Sequence, residues 1–305
     1  MEIIFLIAEL IPCILIGYLL GSFKKDLSLT ISRPLISYGI PISLMGLLLK
    51  SGLKLPLLES AALALIAIGF LMTILNSFSA IKNFIPNRTL QLGCTFGNTG
   101  YLGIPISIAL LPNHALIYSI GFDLGATLVI WGIGPILLTS TSKDFSSDEY
   151  CKGFIKAVFS SPAFKVLIGA LIVHSSPWDE RLTALLWIPS RIVIVLALVI
   201  VGIRLSWLKK ANLSRVKIQI KYIKNALIMK LVGLPTIMLI ISTLIRLPSV
   251  MRDALVLQSA APTAISILLI SQSTSRYEQE ATSLVVLSTI IALISIPVWF
   301  MILRL

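Results

Sequence analysis

Thr95-Phe96-Gly97-Asn98-Thr99-Gly100-Tyr101-Leu102-Gly103-Ile104-Pro105 places three glycines, an asparagine, two threonines and a proline in the middle of an otherwise apolar run, residues 90–111. Inside a helix glycine costs about 1 kcal/mol and proline about 3 kcal/mol relative to alanine. In a bilayer every backbone group freed by a break must also find a partner other than water. A helix of this composition is expected to unwind at its centre. Unwinding leaves carbonyls at the end of one half-helix and N–H groups at the start of the next, which offer partial negative and positive charge to an ion or substrate. Pro105 suits the first turn of the second half, where its missing N–H costs nothing.

Working outward, the chain has 305 residues, 57% hydrophobic and only 12% charged, with a mean hydropathy of +0.98. A soluble domain carries about twice that share of charge, so a soluble enzyme is excluded. The apolar residues fall into runs of bilayer-spanning length: 3–23, 35–49, 57–80, 90–111 and 115–138, then 154–173, 185–207, 226–245, 254–271 and 281–303. The reading is an all-α polytopic membrane protein, with a first repeat over residues 1–138, a cytoplasmic linker over 139–153 and a second repeat over 154–305. An odd number of spans per half turns the halves upside down relative to one another, a recurring plan among secondary transporters. The fourth run of the second half repeats the break: Gln258-Ser259-Ala260-Ala261-Pro262-Thr263-Ala264-Ile265-Ser266 surrounds a proline with small residues and hydroxyls. Two breaks at equivalent places in inverted halves point to a polar site at mid-membrane, built from Asn98, Thr99, Gly100, Gly103 and Pro105 together with Ser259, Pro262, Thr263 and Ser266.

The formal net charge is +12. The basic residues lie between apolar runs, so orientation in the lipid bilayer explains them and no nucleic-acid partner is expected. With the N-terminus outside, the cytoplasmic side receives 17 Lys and Arg residues and the other side 7, with Lys165 inside a span. Both termini are therefore expected on the non-cytoplasmic side of a bacterial inner membrane. The largest contribution comes from residues 204–230, read as a cytoplasmic loop beside anionic lipid. Cys13, Cys94, Cys151, His114 and His174 have no metal-ligand spacing, so no metal and no cofactor are expected. Clustered acids or a histidine pair that would mark an intramembrane enzyme are missing too.

Gly97-Asn98-Thr99-Gly100-Tyr101-Leu102-Gly103-Ile104-Pro105 resembles the signature of the auxin efflux carrier family of membrane transporters. Ile11-Pro12, Gly17-Tyr18, Ile188-Pro189, Gly202-Ile203-Arg204-Leu205, Ala260-Ala261-Pro262-Thr263, Leu287-Ser288-Thr289 and Ile296-Pro297 look like that family's pattern along the rest of the chain. The resemblance implies ten helices in two inverted repeats, with the fourth and ninth crossing at their broken centres as in bile-acid symporters and sodium/proton antiporters. It also implies transport of small organic acids by an elevator movement of a core against a scaffold. Family members often carry an asparagine a few residues after the second proline. Here Ala264, Ile265 and Ser266 stand there, so the site has no symmetrical pair of asparagines.

Asp123, in Gly121-Phe122-Asp123-Leu124-Gly125, lies within the fifth run, where a charge costs at least about 2.5 kcal/mol on insertion scales. It needs a partner or a proton: coupling through a proton is the functional reading, and a structural hydrogen bond to the unwound backbone is the other. Arg191, near the outer end of the seventh run, could draw an anion inward or simply anchor the interface. Lys165 and Lys230 are expected to reach the membrane surface through their long stems. The expected activity is secondary transport of a small organic anion such as a carboxylate. A sodium- or proton-coupled dicarboxylate permease and a non-transporting receptor are the alternatives, and a homodimer is compatible with either.

Overall fold

A computed structural model describes residues 2–23, 34, 38–77, 84, 85, 87–139, 159, 162–208, 213–273 and 277–305. Within them the regular structure is helical, joined by short turns and loops, with one isolated backbone bridge between the two breaks. The helices are α1 (Glu2–Phe23), α2 (Ile40–Ser51), α3 (Leu55–Ser77), α4 (Arg88–Thr95), α5 (Ile104–Leu110), α6 (Leu116–Thr139), α7 (Pro162–His174), α8 (Asp179–Leu208), α9 (Leu213–Ile228), α10 (Leu234–Leu244), α11 (Ser249–Ser259), α12 (Ile265–Ser273) and α13 (Glu278–Leu303).

Among the described residues, five stretches are long and apolar enough to cross a bilayer: Leu55–Ser77, Asn113–Gly132, Asp179–Ile200, Ile220–Leu244 and Glu278–Leu303. They cover the third, fifth, seventh, eighth and tenth runs of the sequence. Ile11–Phe23, Pro41–Ser51, Thr99–Leu110 and Phe164–His174 are shorter apolar helices. The fourth and ninth runs are the broken pairs α4/α5 and α11/α12. Most of the linker over 139–153, the start of the sixth run and Cys151 lie outside the described residues. Residues 204–230, expected as a loop, instead carry α9, which continues into the eighth span. The reason is local. Leu213–Ile228 interleaves its basic residues with isoleucines and leucine and contains neither glycine nor proline, so nothing in it stops a helix.

A recurrent device joins proline to the apolar helices. Gly39-Ile40-Pro41, Gly103-Ile104-Pro105 and Gly233-Leu234-Pro235 each follow a stretch of π-helix, at 38–39, Thr99–Gly103 and Met229–Gly233. Proline cannot donate to the carbonyl four residues back and its ring crowds that carbonyl. A wider turn relieves the clash. The carbonyl left over before Pro235 belongs to Leu231, and the Trp299 indole N–H of α13 donates to it at 2.8 Å. Pro105 thus sits after a π turn that begins at Thr99, so the second half-helix starts earlier than proline placement alone suggests.

Two groups of helices result. One is α1, α2, α7 and α8, in which α8 packs along both α1 and α2. The other gathers α3 and α6 with the broken pairs, α9, α10 and α13. Glycine lets backbones approach closely, as small residues do in membrane interfaces. A Cβ on Gly17 would overlap the Val199 carbonyl, and one on Gly202 the Ile14 carbonyl. These overlaps are with main chain and cannot be relieved by a rotamer change. Gly202→Leu is therefore expected to destabilise the protein by about 1–3 kcal/mol through overpacking, visible as a lower melting temperature in detergent. An unchanged melting temperature would show that α1 and α8 are not in this contact.

Candidate functional site

Asn87 starts the first half-helix by accepting the Thr89 N–H on its side-chain oxygen at 2.8 Å, a capping contact that suits an asparagine just before a helix. α4 ends at Thr95, and Phe96 is extended, with φ −98 and ψ 128. The opposite break lies between α11 and α12. The two breaks meet, because Gly97 and Thr263 form an antiparallel bridge. The Asn98 N–H donates to the Pro262 carbonyl at 2.6 Å, and the Ala264 N–H to the Phe96 carbonyl at 3.0 Å.

Side chains satisfy most of what the breaks expose. The Thr263 hydroxyl donates to the Gly93 carbonyl at 2.9 Å. The Thr263 N–H donates to the Ser288 hydroxyl oxygen of α13 at 3.0 Å. Lys230 donates its ammonium hydrogen to the Ser259 carbonyl at 2.9 Å. The expectation of bare backbone ends waiting for cargo is corrected by these bonds. In a medium without water each freed group costs several kcal/mol, so the chain pairs them with its own atoms.

The start of the π turn meets Asp123 of α6. The Thr99 hydroxyl donates to Asp123 Oδ1 at 2.5 Å. The carboxylate lies against Gly100, where an added Cβ would be 3.1 and 3.2 Å from its two oxygens. A negative group thus stands at the positive end of the second half-helix, the favourable placement for the helix dipole.

A cavity of about 790 Å³, counted out to its open mouth, runs along this junction. α2 contributes Ser43, Leu44 and Leu47, the first break Phe96 to Tyr101 with Ile104, α6 Asp123, Ala126, Thr127, Ile130 and Trp131, and the second break Ala264, Ile265 and Ser266. Asp123 is the one charged side chain in this lining. Asn98 is 5% exposed and its carboxamide forms no hydrogen bond among the described residues, so its donors and acceptor are free toward the cavity. The Tyr101 hydroxyl is likewise buried without a partner there.

Of the residues expected at the site, Asn98, Thr99, Gly100, Ser266 and Asp123 line the cavity, whereas Gly103, Pro105, Ser259, Pro262 and Thr263 do not. Those five hold the crossing or its flanks. Gly103 accommodates the Gln258 carboxamide, Pro105 is buried at the start of α5, and Ser259, Pro262 and Thr263 supply the bonds described above. Sequence reading missed Ser43, Tyr101, Thr127 and Trp131 in the cavity wall.

Lys230 requires a correction: it has no exposed surface and reaches the crossing rather than the membrane surface. The signal available was its position in Lys230-Leu231-Val232-Gly233-Leu234-Pro235, which repeats the Gly-x-Pro spacing of the first break. Arg191 is exposed and stacks over the Trp187 ring at 5.5 Å to its centroid, away from the cavity.

The family profile described as membrane transport protein matches residues 2–300. The chain belongs to the membrane transport protein family. This is the auxin efflux carrier family that the first break resembles. An uncharacterized transporter of Methanothermobacter thermautotrophicus is 23% identical over 309 residues, covering 97% of each chain. In this member of the membrane transport protein family the signature residues therefore do two jobs: some close the crossing of the broken helices, and others open onto the cavity beside it.

Proposed function

We propose that the chain is a secondary transporter of a small organic acid, a permease and not an enzyme, in which the anion and a proton travel together through the cavity beside the crossing. The observation that carries this reading is the cavity's polar content: one carboxylate, Asp123, next to the unpartnered Asn98 carboxamide and the Tyr101 hydroxyl. An anion approaching an ionised Asp123 is repelled. Two like charges 4 Å apart at an effective dielectric of 20 repel by about 4 kcal/mol, so the carboxylate must take up a proton for the anion to bind. Once Asp123 is neutral, the positive end of the Thr99 half-helix and the Asn98 amide suit a carboxylate.

The cavity is walled by α2 on one side and by the crossing on the other. That seam is where a core carrying the broken helices would slide against a scaffold of α1, α2, α7 and α8. Ten crossings in two inverted halves, with both termini on the non-cytoplasmic side, belong to this reading. Uptake of labelled mono- and dicarboxylates into proteoliposomes tests it, with a rate that rises as the outer pH falls. Uptake of organic cations instead, which the lone carboxylate and Trp131 could also hold, would overturn the choice of substrate.

Asn98→Ala is expected to raise the KM by about tenfold, the scale of one lost hydrogen bond to a charged group. The fold should be unaffected, since the Asn98 carboxamide forms no hydrogen bond among the described residues. An unchanged KM would remove Asn98 from the binding site.

A further inference from the structure

Lys230 lies in the π turn Met229–Gly233, has no exposed surface, and has no carboxylate within 4.0 Å among the described residues. Its one hydrogen-bond partner there is the Ser259 carbonyl. That carbonyl lacks a main-chain donor for a definite reason. α11 stops at Ser259, the residue three further on is Pro262 with no N–H to give, and the Thr263 N–H, four further on, is committed to Ser288. A carbonyl thus points out of the negative end of the half-helix dipole. Bared carbonyls at the C-terminal ends of broken helices are where transporters coordinate their coupling cations. The ammonium also touches the cavity wall: an added Cβ on Gly97, which lines the cavity, would lie 3.0 Å from Nζ.

We propose that the Lys230 ammonium is a tethered cation that fills the place a coupling sodium ion would otherwise take at the end of α11, so that transport needs no sodium. This cation moves with the crossing and serves as the fixed countercharge to Asp123. The countercharge role rests on the proton-coupled reading above, whereas the occupancy of the cation position does not. With the cavity empty, the ammonium and the ionised Asp123 cancel. With Asp123 protonated and a monoanion bound, the ammonium and the cargo cancel. Neither form carries net charge through the low-dielectric interior, where charge is costly.

The test compares sodium chloride with choline chloride at equal ionic strength, using the wild-type protein, Lys230→Gln and Lys230→Arg. In thermal unfolding, sodium is expected to leave the wild type and Lys230→Arg unchanged and to raise the melting temperature of Lys230→Gln. In proteoliposomes, wild-type uptake should be the same in both salts. Uptake by Lys230→Gln should fall by about tenfold or more in choline, the fold-change for leaving a buried polar group unpaired, and recover in part with sodium.

A wild type that is stabilised by sodium or requires it for uptake overturns the proposal. So does a monodisperse Lys230→Gln that is indifferent to sodium. If Lys230→Gln does not fold, the wild-type arms still decide. The unfolding arm needs no substrate, so failure to find a transported acid leaves the cation result standing.

Discussion

Asp123→Asn is expected to leave a folded protein that binds the organic anion at least as tightly as the wild type, shows uptake independent of pH, and cannot accumulate it against a gradient. Asparagine has the shape of the carboxyl group and can still accept the Thr99 hydroxyl bond, but it can neither gain nor lose a proton. The sign follows from the repulsion between Asp123 and the cargo. Wild-type uptake depends on the protonated fraction of Asp123 and so increases as pH falls, whereas the variant is permanently in the neutral form and its profile is flat. The removed repulsion is about 4 kcal/mol at most on the scale of two charges 4 Å apart, so affinity at high pH should change most. A pH profile and an accumulation ratio that match the wild type would exclude proton coupling through this residue.

The second large effect is expected at the crossing. Thr263→Val leaves the Gly93 carbonyl without its donor, and Ser288→Ala leaves the Thr263 N–H without its acceptor. Each orphaned group costs about 1–3 kcal/mol by mutational measures. Both bonds converge on Thr263, so the two losses should couple rather than add. The double variant should melt at a markedly lower temperature and lose most of its transport. Asn98→Ala should keep its melting temperature, because the Asn98 main chain, which the substitution leaves in place, is what bonds across the crossing. If the double variant keeps both stability and transport, the two breaks are not held together by these bonds.

The crossing was legible because glycines, a mid-span proline and hydroxyls are concentrated at equivalent places in two apolar runs, beyond what close helix packing asks for. Asp123 was legible as a charge within an apolar run. Two features escaped. Lys230 was read by its charge, as one more basic residue of a cytoplasmic loop. Its burial depends on α9 continuing through a π turn to bring the side chain beside α11, a long-range fact that no local pattern carries. The cavity's far wall, Ser43, Leu44 and Leu47, is ordinary apolar helix in sequence and becomes part of a site through packing against residues far along the chain. The division of labour among the signature residues was hidden as well. Thr99 and Thr263 are both threonines beside a break, yet one holds the Asp123 carboxylate and the other ties main chain to main chain.

The most direct measurement is a disulfide across the two breaks. Gly97 and Thr263 are a non-hydrogen-bonded antiparallel pair, since the bonds run between their neighbours. Their Cα atoms should therefore stand about 4.5 Å apart, within the range a disulfide bridges. With Cys13, Cys94 and Cys151 replaced by serine or alanine, the Gly97→Cys/Thr263→Cys variant should cross-link under mild oxidation, as the joined peptide in a mass-spectrometric digest. Cross-linking at this pair and not at a control pair such as Gly97→Cys/Thr243→Cys is the expected result. No cross-link in a folded, monodisperse double variant would mean that the broken helices do not meet.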